Sequence, residues 1–152
     1  GGHVTPVLAV LHELKRLDPK SEALFVCDKK FVRQARSLME PAGVEVRTVA
    51  SGKLRRYHGI AWWKQLLDIP TTLKNLRDGF LVAVGVVQSI WLLRKWKPDV
   101  VFAKGGFVSL PVGFAAHFLK IPLVIHDSDA HPGLTNRVLS RWADQIATGA
   151  PA

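Results

Sequence analysis

The sequence predicts an open α/β fold: a parallel sheet covered by helices on both faces, built as one domain. Three observations lead there. Short apolar runs alternate with longer segments of helical periodicity along most of the chain, the pattern of strands joined by crossover helices. Several of those runs end in glycine or polar residues that lead directly into a helix. The 152 residues are 48% apolar, enough for one sizeable core, and contain no linker, repeat or low-complexity tract.

Taken in order, Val7, Val10, Leu11, Leu14 and Leu17 recur at helical spacing, with Thr5 placed as a cap and Pro6 in the first turn. Residues 22–27 form a short apolar run of strand type. Residues 31–39 follow as a helix, stopped by Pro41 and Gly43. Residues 44–49 alternate as a strand, and residues 50–59 make a basic, glycine-containing loop. Two helical segments come next: one with a stripe of Trp62, Leu66, Ile69, Leu73 and Leu76 and a kink at Pro70, the other over residues 79–96, apolar around most of its circumference. A strand at 100–103 then runs to Gly105-Gly106. After it come a helix at 109–119, a strand at 122–125, a polar loop at 126–132, a helix at 133–142 and a last strand at 145–148. A first strand is expected just before Gly1.

Charge and cysteine usage narrow the function. Lys and Arg number 21 against 12 Asp and Glu, a net +9, so an anionic partner is expected: a phosphate-bearing ligand, an acidic membrane or nucleic acid. Nucleic acid is set aside because no recognised binding motif accompanies the charge. Cys27 is the single cysteine, which excludes an internal disulfide and a cysteine-based zinc site and fits a reducing, cytoplasmic compartment. The opening residues do not read as a signal peptide. The longest apolar stretch, 79–93, falls short of the ~20 residues that span a bilayer, so a soluble or peripheral protein is expected.

Three loops sit where ligands bind in such a sheet, beyond the carboxyl ends of strands: Gly1-Gly2-His3, Gly105-Gly106-Phe107-Val108-Ser109, and the polar stretch from His126 to Gly133. Each leads into a helix, whose free N–H groups and partial positive charge favour an anion, while glycine allows close backbone approach. Together they suit a diphosphate. Neither the dinucleotide fingerprint nor a P-loop is present. His3 lies where a general base would be useful, or it packs the loop; the residues alone leave both open. His126, directly after an apolar strand, reads as structural before catalytic, and His131 as solvent-facing. Asp127 and Asp129 cap a helix more readily than they hold a metal, and no metal or cofactor is expected. In the middle of the chain, Lys53, Arg55, Arg56 and Lys64 flank Trp62 and Trp63. Arg94, Lys95 and Lys97 lie around Trp96, with Trp91 close by. Basic residues interleaved with Trp and Leu on helices suit an anionic membrane surface.

Five motifs in order resemble the MurG family of glycosyltransferases. Gly1-Gly2-His3 is similar to the end of that family's GGTGGH loop, and Ser51-Gly52 with Leu54-Arg55 to its S-G-L-R element. Residues 98–101 followed by Gly105-Gly106-Phe107-Val108-Ser109 resemble PDVV…GGYVS. Residues 121–126 followed by Gly133-Leu134-Thr135-Asn136-Arg137 resemble IPxVxHEQN…GLTN. The resemblance covers nearly the whole chain. It implies the Rossmann-like N-terminal, acceptor-binding domain of a two-domain GT-B enzyme, spanning residues 1–152, with the donor-binding half absent.

The implied reaction moves GlcNAc from UDP-GlcNAc to the muramyl 4-hydroxyl of lipid I, giving lipid II for peptidoglycan. It is a single inverting displacement at the inner face of the cytoplasmic membrane. The implied partners are the undecaprenyl-diphosphate-linked muramyl peptide, UDP-GlcNAc through the missing half, and the anionic membrane; this chain alone would be inactive. By the same resemblance His3 is the base or orienting group, and Gly1, Gly2, Gly105, Gly106, Phe107, Ser109, His126, Asp129 and Asn136 line the acceptor-diphosphate site. Trp62, Trp63, Lys64, Leu66, Trp91, Arg94 and Lys95 contact the membrane. Two departures stand out: Phe107 replaces the family's tyrosine, and His126-Asp127-Ser128-Asp129 replaces HEQN. They leave room for a transferase using another polyprenyl or lipid acceptor. A binding subunit that recruits a separate catalytic chain to the membrane is the rival outside enzymes.

Overall fold

A computed structural model describes residues 4–53, 69–128 and 133–149. Helix α1 (Val4–Leu17) leads to strand β1 (Leu24–Cys27), helix α2 (Val32–Met39) with a 3-10 turn at Glu40–Ala42, and strand β2 (Glu45–Thr48). Helix α3 (Ile69–Trp96), strand β3 (Val101–Ala103), helix α4 (Ser109–Phe118), strand β4 (Leu123–Asp127), helix α5 (Leu134–Leu139) and strand β5 (Gln145–Thr148) complete the order. Every strand pair is parallel. The alternating α/β architecture expected from the sequence is the one found.

Among the described residues the strands form two sheets, β1-β2 and β3-β4-β5, where one continuous sheet was expected. No described strand occupies the outer edge of β1 or of β3. Each sheet has its own core. Cys27, Ala35, Met39, Val44 and Val46 are buried together under α1 and α2. Leu93, Val101, Ala103, Leu110, Ala115, Leu123, Ile125 and Leu139 are buried between α3, α4, α5 and the second sheet. Burying each of the Val, Leu, Ile and Met side chains among them stabilises by about 1.5–3 kcal/mol as an upper estimate, and each alanine by less.

Four expectations need correction. Thr5 lies inside α1 and does not cap it, because the helix begins at Val4. β4 runs on through His126 and Asp127, which the sequence placed in a loop; its ladder with β5 continues through His126↔Ala147 and Asp127↔Thr148. α5 is shorter than the helix expected at 133–142, since the chain turns after Leu139 with Trp142 N–H donating to Leu139 O. Finally, α3 is unbroken through Asp78 and Gly79, where the sequence suggested two helical segments; the kink expected at Pro70 adjoins residues outside those described.

That continuity changes the membrane argument. Thr72–Trp96 is long and apolar enough to cross a membrane by length and composition, although the apolar stretch within it is shorter. One face of α3 is nevertheless packed on protein: Asp78, Gly85, Ser89 and Leu93 are buried. The Ala50–Gly52 segment lies against this face so closely that a Cβ on Gly85 would stand 2.0 Å from Ala50 O, and one on Gly52 2.0 Å from Asp78 O. Ala50 N–H also donates to Gln88 Oε1 at 2.8 Å. The opposite face exposes Leu73, Leu76, Phe80, Val87 and Trp91.

Candidate functional site

The carboxyl ends of β3, β4 and β5 come together at one end of the second sheet, and the second and third predicted loops leave from there. At β3 the chain passes through Lys104 into Gly105 and Gly106, with φ of +94° and +84°. Consecutive left-handed residues are accessible to glycine without strain. They turn the chain into α4, whose first turn has no side-chain cap and no acidic residue. Ser109 Oγ donates to Gly105 O at 2.6 Å and closes this turn. A glycine turn heading an uncapped helix presents backbone N–H groups to an anion.

Asn136, on α5, ties that turn to β4. Only 6% of it is exposed. Its Nδ2 donates to Asp127 Oδ2 at 2.9 Å and to His126 O at 3.3 Å. A Cβ on Gly105 would stand 3.4 Å from both Asn136 amide heteroatoms, an ordinary contact, so it is the φ of +94° that favours glycine here, and Asn136 packs directly against the turn. The amide therefore holds the end of β4 in place, and Asn136 Oδ1 is buried without a protein partner among the described residues. His126 Nδ1 is likewise buried and unpartnered, and the ring lies 6.3 Å from that of Phe102.

Phe107, 43% exposed, stands at the mouth of the turn. Lys53 Nζ lies 5.8 Å from its ring centroid, a cation–π contact joining the loop after β2 to the loop after β3. Deeper in that first loop, Ser51 Oγ donates to Asp28 Oδ2 at 2.7 Å, fixing it to the end of β1.

The structure thus brings together Gly105, Gly106, Phe107, Ser109, His126 and Asn136. Gly1, Gly2, His3 and Asp129 lie outside the described residues, as do Trp62, Trp63, Lys64 and Leu66. Trp91 is 66% exposed on α3, and Lys95 Nζ lies 5.3 Å from its ring centroid; Arg94 is exposed beside them. Among the described residues no group of three or more His, Cys, Asp or Glu side chains is gathered as for a metal ion.

Sequence reasoning overlooked Lys104 and Ser128. Lys104 is only 9% exposed, and its Nζ donates to Ser128 Oγ at 2.7 Å. The signal was a lone lysine between an apolar strand and a glycine pair, which by itself does not announce burial.

Residues 1–148 match the family described as "Glycosyltransferase family 28 N-terminal domain". Among curated relatives, a UDP-N-acetylglucosamine–N-acetylmuramyl-(pentapeptide) pyrophosphoryl-undecaprenol N-acetylglucosamine transferase of Clostridium botulinum is 39% identical over 150 residues, 99% of this chain and 38% of the relative. The protein of the same name from Lachnospira eligens is 40% identical with the same coverage. The chain therefore spans about two fifths of the length of these relatives. The crystal structure of Acinetobacter baumannii MurG superposes with a TM-score of 0.75 at 25% identity, covering 99% of this chain and 39% of that one.

Proposed function

This chain belongs to the glycosyltransferase family 28 N-terminal domains, and from that premise we propose that it is the acceptor-binding half of an inverting GlcNAc transferase of peptidoglycan synthesis. The carrying observation is the Gly105-Gly106 turn, left-handed at both residues and leading into an uncapped helix at the carboxyl end of β3. Such a turn suits the diphosphate of a polyprenyl-linked muramyl peptide. The names of the curated relatives support the choice of donor, UDP-GlcNAc, and of acceptor, lipid I. The donor would be held by a second half of the enzyme. His3 is the base or orienting group: the muramyl hydroxyl attacks the anomeric carbon, its proton passes to the base, and UDP departs in the same step. Gly1, Gly2 and Asp129 complete the acceptor site.

The membrane reading rests on α3. At 100° per residue its exposed Leu73, Leu76, Phe80, Val87 and Trp91 fall within a stripe about 60° wide and about 27 Å long. Arg94 and Lys95 stand at one end, Lys74 and Arg77 near the other. A helix with one face packed on protein and an apolar, cation-flanked face outward lies on an anionic surface and does not cross it. Trp62, Trp63, Lys64 and Leu66, outside the described residues, belong to the same proposed membrane contact. The enzyme then works peripherally, at the cytoplasmic face of the membrane, and serves cell-wall growth, cell shape and division.

The test is GlcNAc transfer by the full-length protein to a lipid I analogue in anionic vesicles, run beside His3→Ala and a Phe80→Ser/Trp91→Ser double variant. We expect robust transfer by the parent and a loss of about a hundredfold or more in His3→Ala. The double variant should lose vesicle binding while still using a water-soluble acceptor. Absence of transfer by a folded, vesicle-bound parent overturns the assignment; transfer that survives His3→Ala removes His3 from its role.

A further inference from the structure

The glycine turn supplies only partial charges to a ligand that carries two or three full ones. Lys104 is the cation nearest to it in the chain, and its setting is unusual for a lysine. It directly follows β3, is 91% buried, and reaches across to Ser128, the first residue beyond β4. An ammonium has three N–H donors. Among the described residues one is taken by Ser128 Oγ, and the ion pairs present involve Glu13, Glu40 and Glu45, none of them with Lys104. A buried cation without a counter-ion is costly unless an anion joins it.

Asp127, beside Ser128 in the chain, accepts from Asn136 Nδ2 and forms no ion pair with Lys104. The Lys104–Ser128 pair itself is rich in donors: Ser128 Oγ accepts from the ammonium, so its own hydroxyl proton points onward to another acceptor. Backbone N–H groups of the Gly105-Gly106 turn and of the α4 N-terminus adjoin it along the chain. The unpartnered, buried Asn136 Oδ1 marks a second polar atom at this end of the sheet with no protein partner among the described residues.

We infer that Lys104, set by Ser128, is the charge-bearing ligand of the diphosphate group that the glycine turn cradles. The inference rests on the proposed function and assigns the full positive charge of that site. It also gives Ser128 a purpose: the hydroxyl bridges β4 to the ammonium and lends the ligand one further donor. Charge-assisted contacts of this kind are about twice as strong as neutral ones.

The experiment is calorimetric titration of the full-length protein with geranyl diphosphate, geranyl monophosphate and geraniol. Saturating UDP is present so that the donor half cannot take the diphosphate. Lys104→Met should weaken geranyl diphosphate by about ten- to hundredfold, geranyl monophosphate less, and geraniol not at all, with Lys104→Arg retaining affinity within about fivefold. In transfer assays the same Lys104→Met change should raise KM for the lipid acceptor more than it lowers kcat. Ser128→Ala, an exposed position that tolerates truncation, should weaken the diphosphate at least about threefold, which keeps the inference testable if Lys104→Met does not fold. Diphosphate affinity within twofold of the parent in both Lys104→Met and Ser128→Ala overturns it. So does an equal loss for all three ligands, the mark of a structural lysine. If the parent transfers sugar yet Lys104→Met binds normally, only this inference falls; if the parent neither transfers sugar nor binds geranyl diphosphate, the proposed function falls with it.

Discussion

Asn136 gives the sharpest test of how the site is held together. Asn136→Leu keeps the branched shape but removes both donors. The 2.9 Å bond to the Asp127 carboxylate is charge-assisted, worth about 1.5–3 kcal/mol, and the longer 3.3 Å bond to His126 O adds about 0.5 kcal/mol. Removing the orphaned Oδ1 offsets about 1 kcal/mol of this, since that atom is already buried without a partner. The net expectation is a loss of about 1–2.5 kcal/mol. Asn136→Asp keeps the size and replaces the donor by a second carboxylate facing Asp127. At about 3 Å and an effective dielectric of about 20 the repulsion is about 5 kcal/mol. Proton uptake by the pair relieves part of it, leaving an expected loss of about 4 kcal/mol or more. Native-state amide exchange in the full-length protein, read at β4 and β5, reports this end of the fold without requiring global two-state unfolding. Exchange there should quicken about five- to sixtyfold in Asn136→Leu and about a thousandfold in Asn136→Asp, at tenfold per 1.4 kcal/mol. Equal acceleration in the two variants would refute the claim that the Asn136 amide acts chiefly as a donor to a charged Asp127. Less than twofold in both would refute its structural role altogether.

Two further outcomes follow from the glycines of α3 and from Cys27. Gly79 has open space around it, so Gly79→Ala should stabilise by up to about 1 kcal/mol through helix propensity. Gly85→Ala should instead destabilise by about 1–3 kcal/mol, because its Cβ would meet Ala50 O at 2.0 Å; chemical denaturation that finds both glycines alike contradicts the packing. Burial pushes the Cys27 thiol up, the Asp28 carboxylate adds to the rise, and Arg36 opposes it. Native Cys27 should therefore resist iodoacetamide at pH 8 and react on unfolding. Because the folded thiol holds its proton longer than the unfolded one, stability should fall as pH rises above the unfolded value of about 8.5. Rapid native alkylation counts against this burial.

The fold was legible because period and punctuation agreed. Strands β1, β2, β3 and β5 lie within the apolar runs that announced them, α2 ends at Met39 as expected, and Gly43 in the left-handed region closes the 3-10 turn that follows it. What escaped was decided by partners elsewhere in the chain. His126 and Asp127 look like loop residues by polarity, yet β5 pairs with both and keeps them in strand. Asp78-Gly79 looks like a helix break, yet Asp78 is buried and the helix continues. The site shows the same division. Glycines and Asn136 could be read from motif spacing; the 91% burial of Lys104 and its bond to Ser128 could not, since both depend on where β4 ends.

The two surfaces that the proposed function needs share one packed helix pair. The outward face of α3 carries Leu73, Leu76, Phe80, Val87 and Trp91. Its inward face holds Gly85, where a Cβ would meet both Ala50 O and, at 3.1 Å, Pro111 Cβ. Pro111 lies in the first turn of α4, two residues beyond the Ser109 hydroxyl that closes the Gly105-Gly106 turn. No loop intervenes between the face offered to the membrane and the helix that heads the anion site. A ligand with its tail in the bilayer and its diphosphate at that turn would meet groups already fixed relative to one another, so little ordering opposes binding. Spreading α3 from α4 with Gly85→Ala should therefore weaken acceptor binding along with stability. Changes confined to Phe80 and Trp91 should spare the turn, because nothing on the buried face of α3 depends on them.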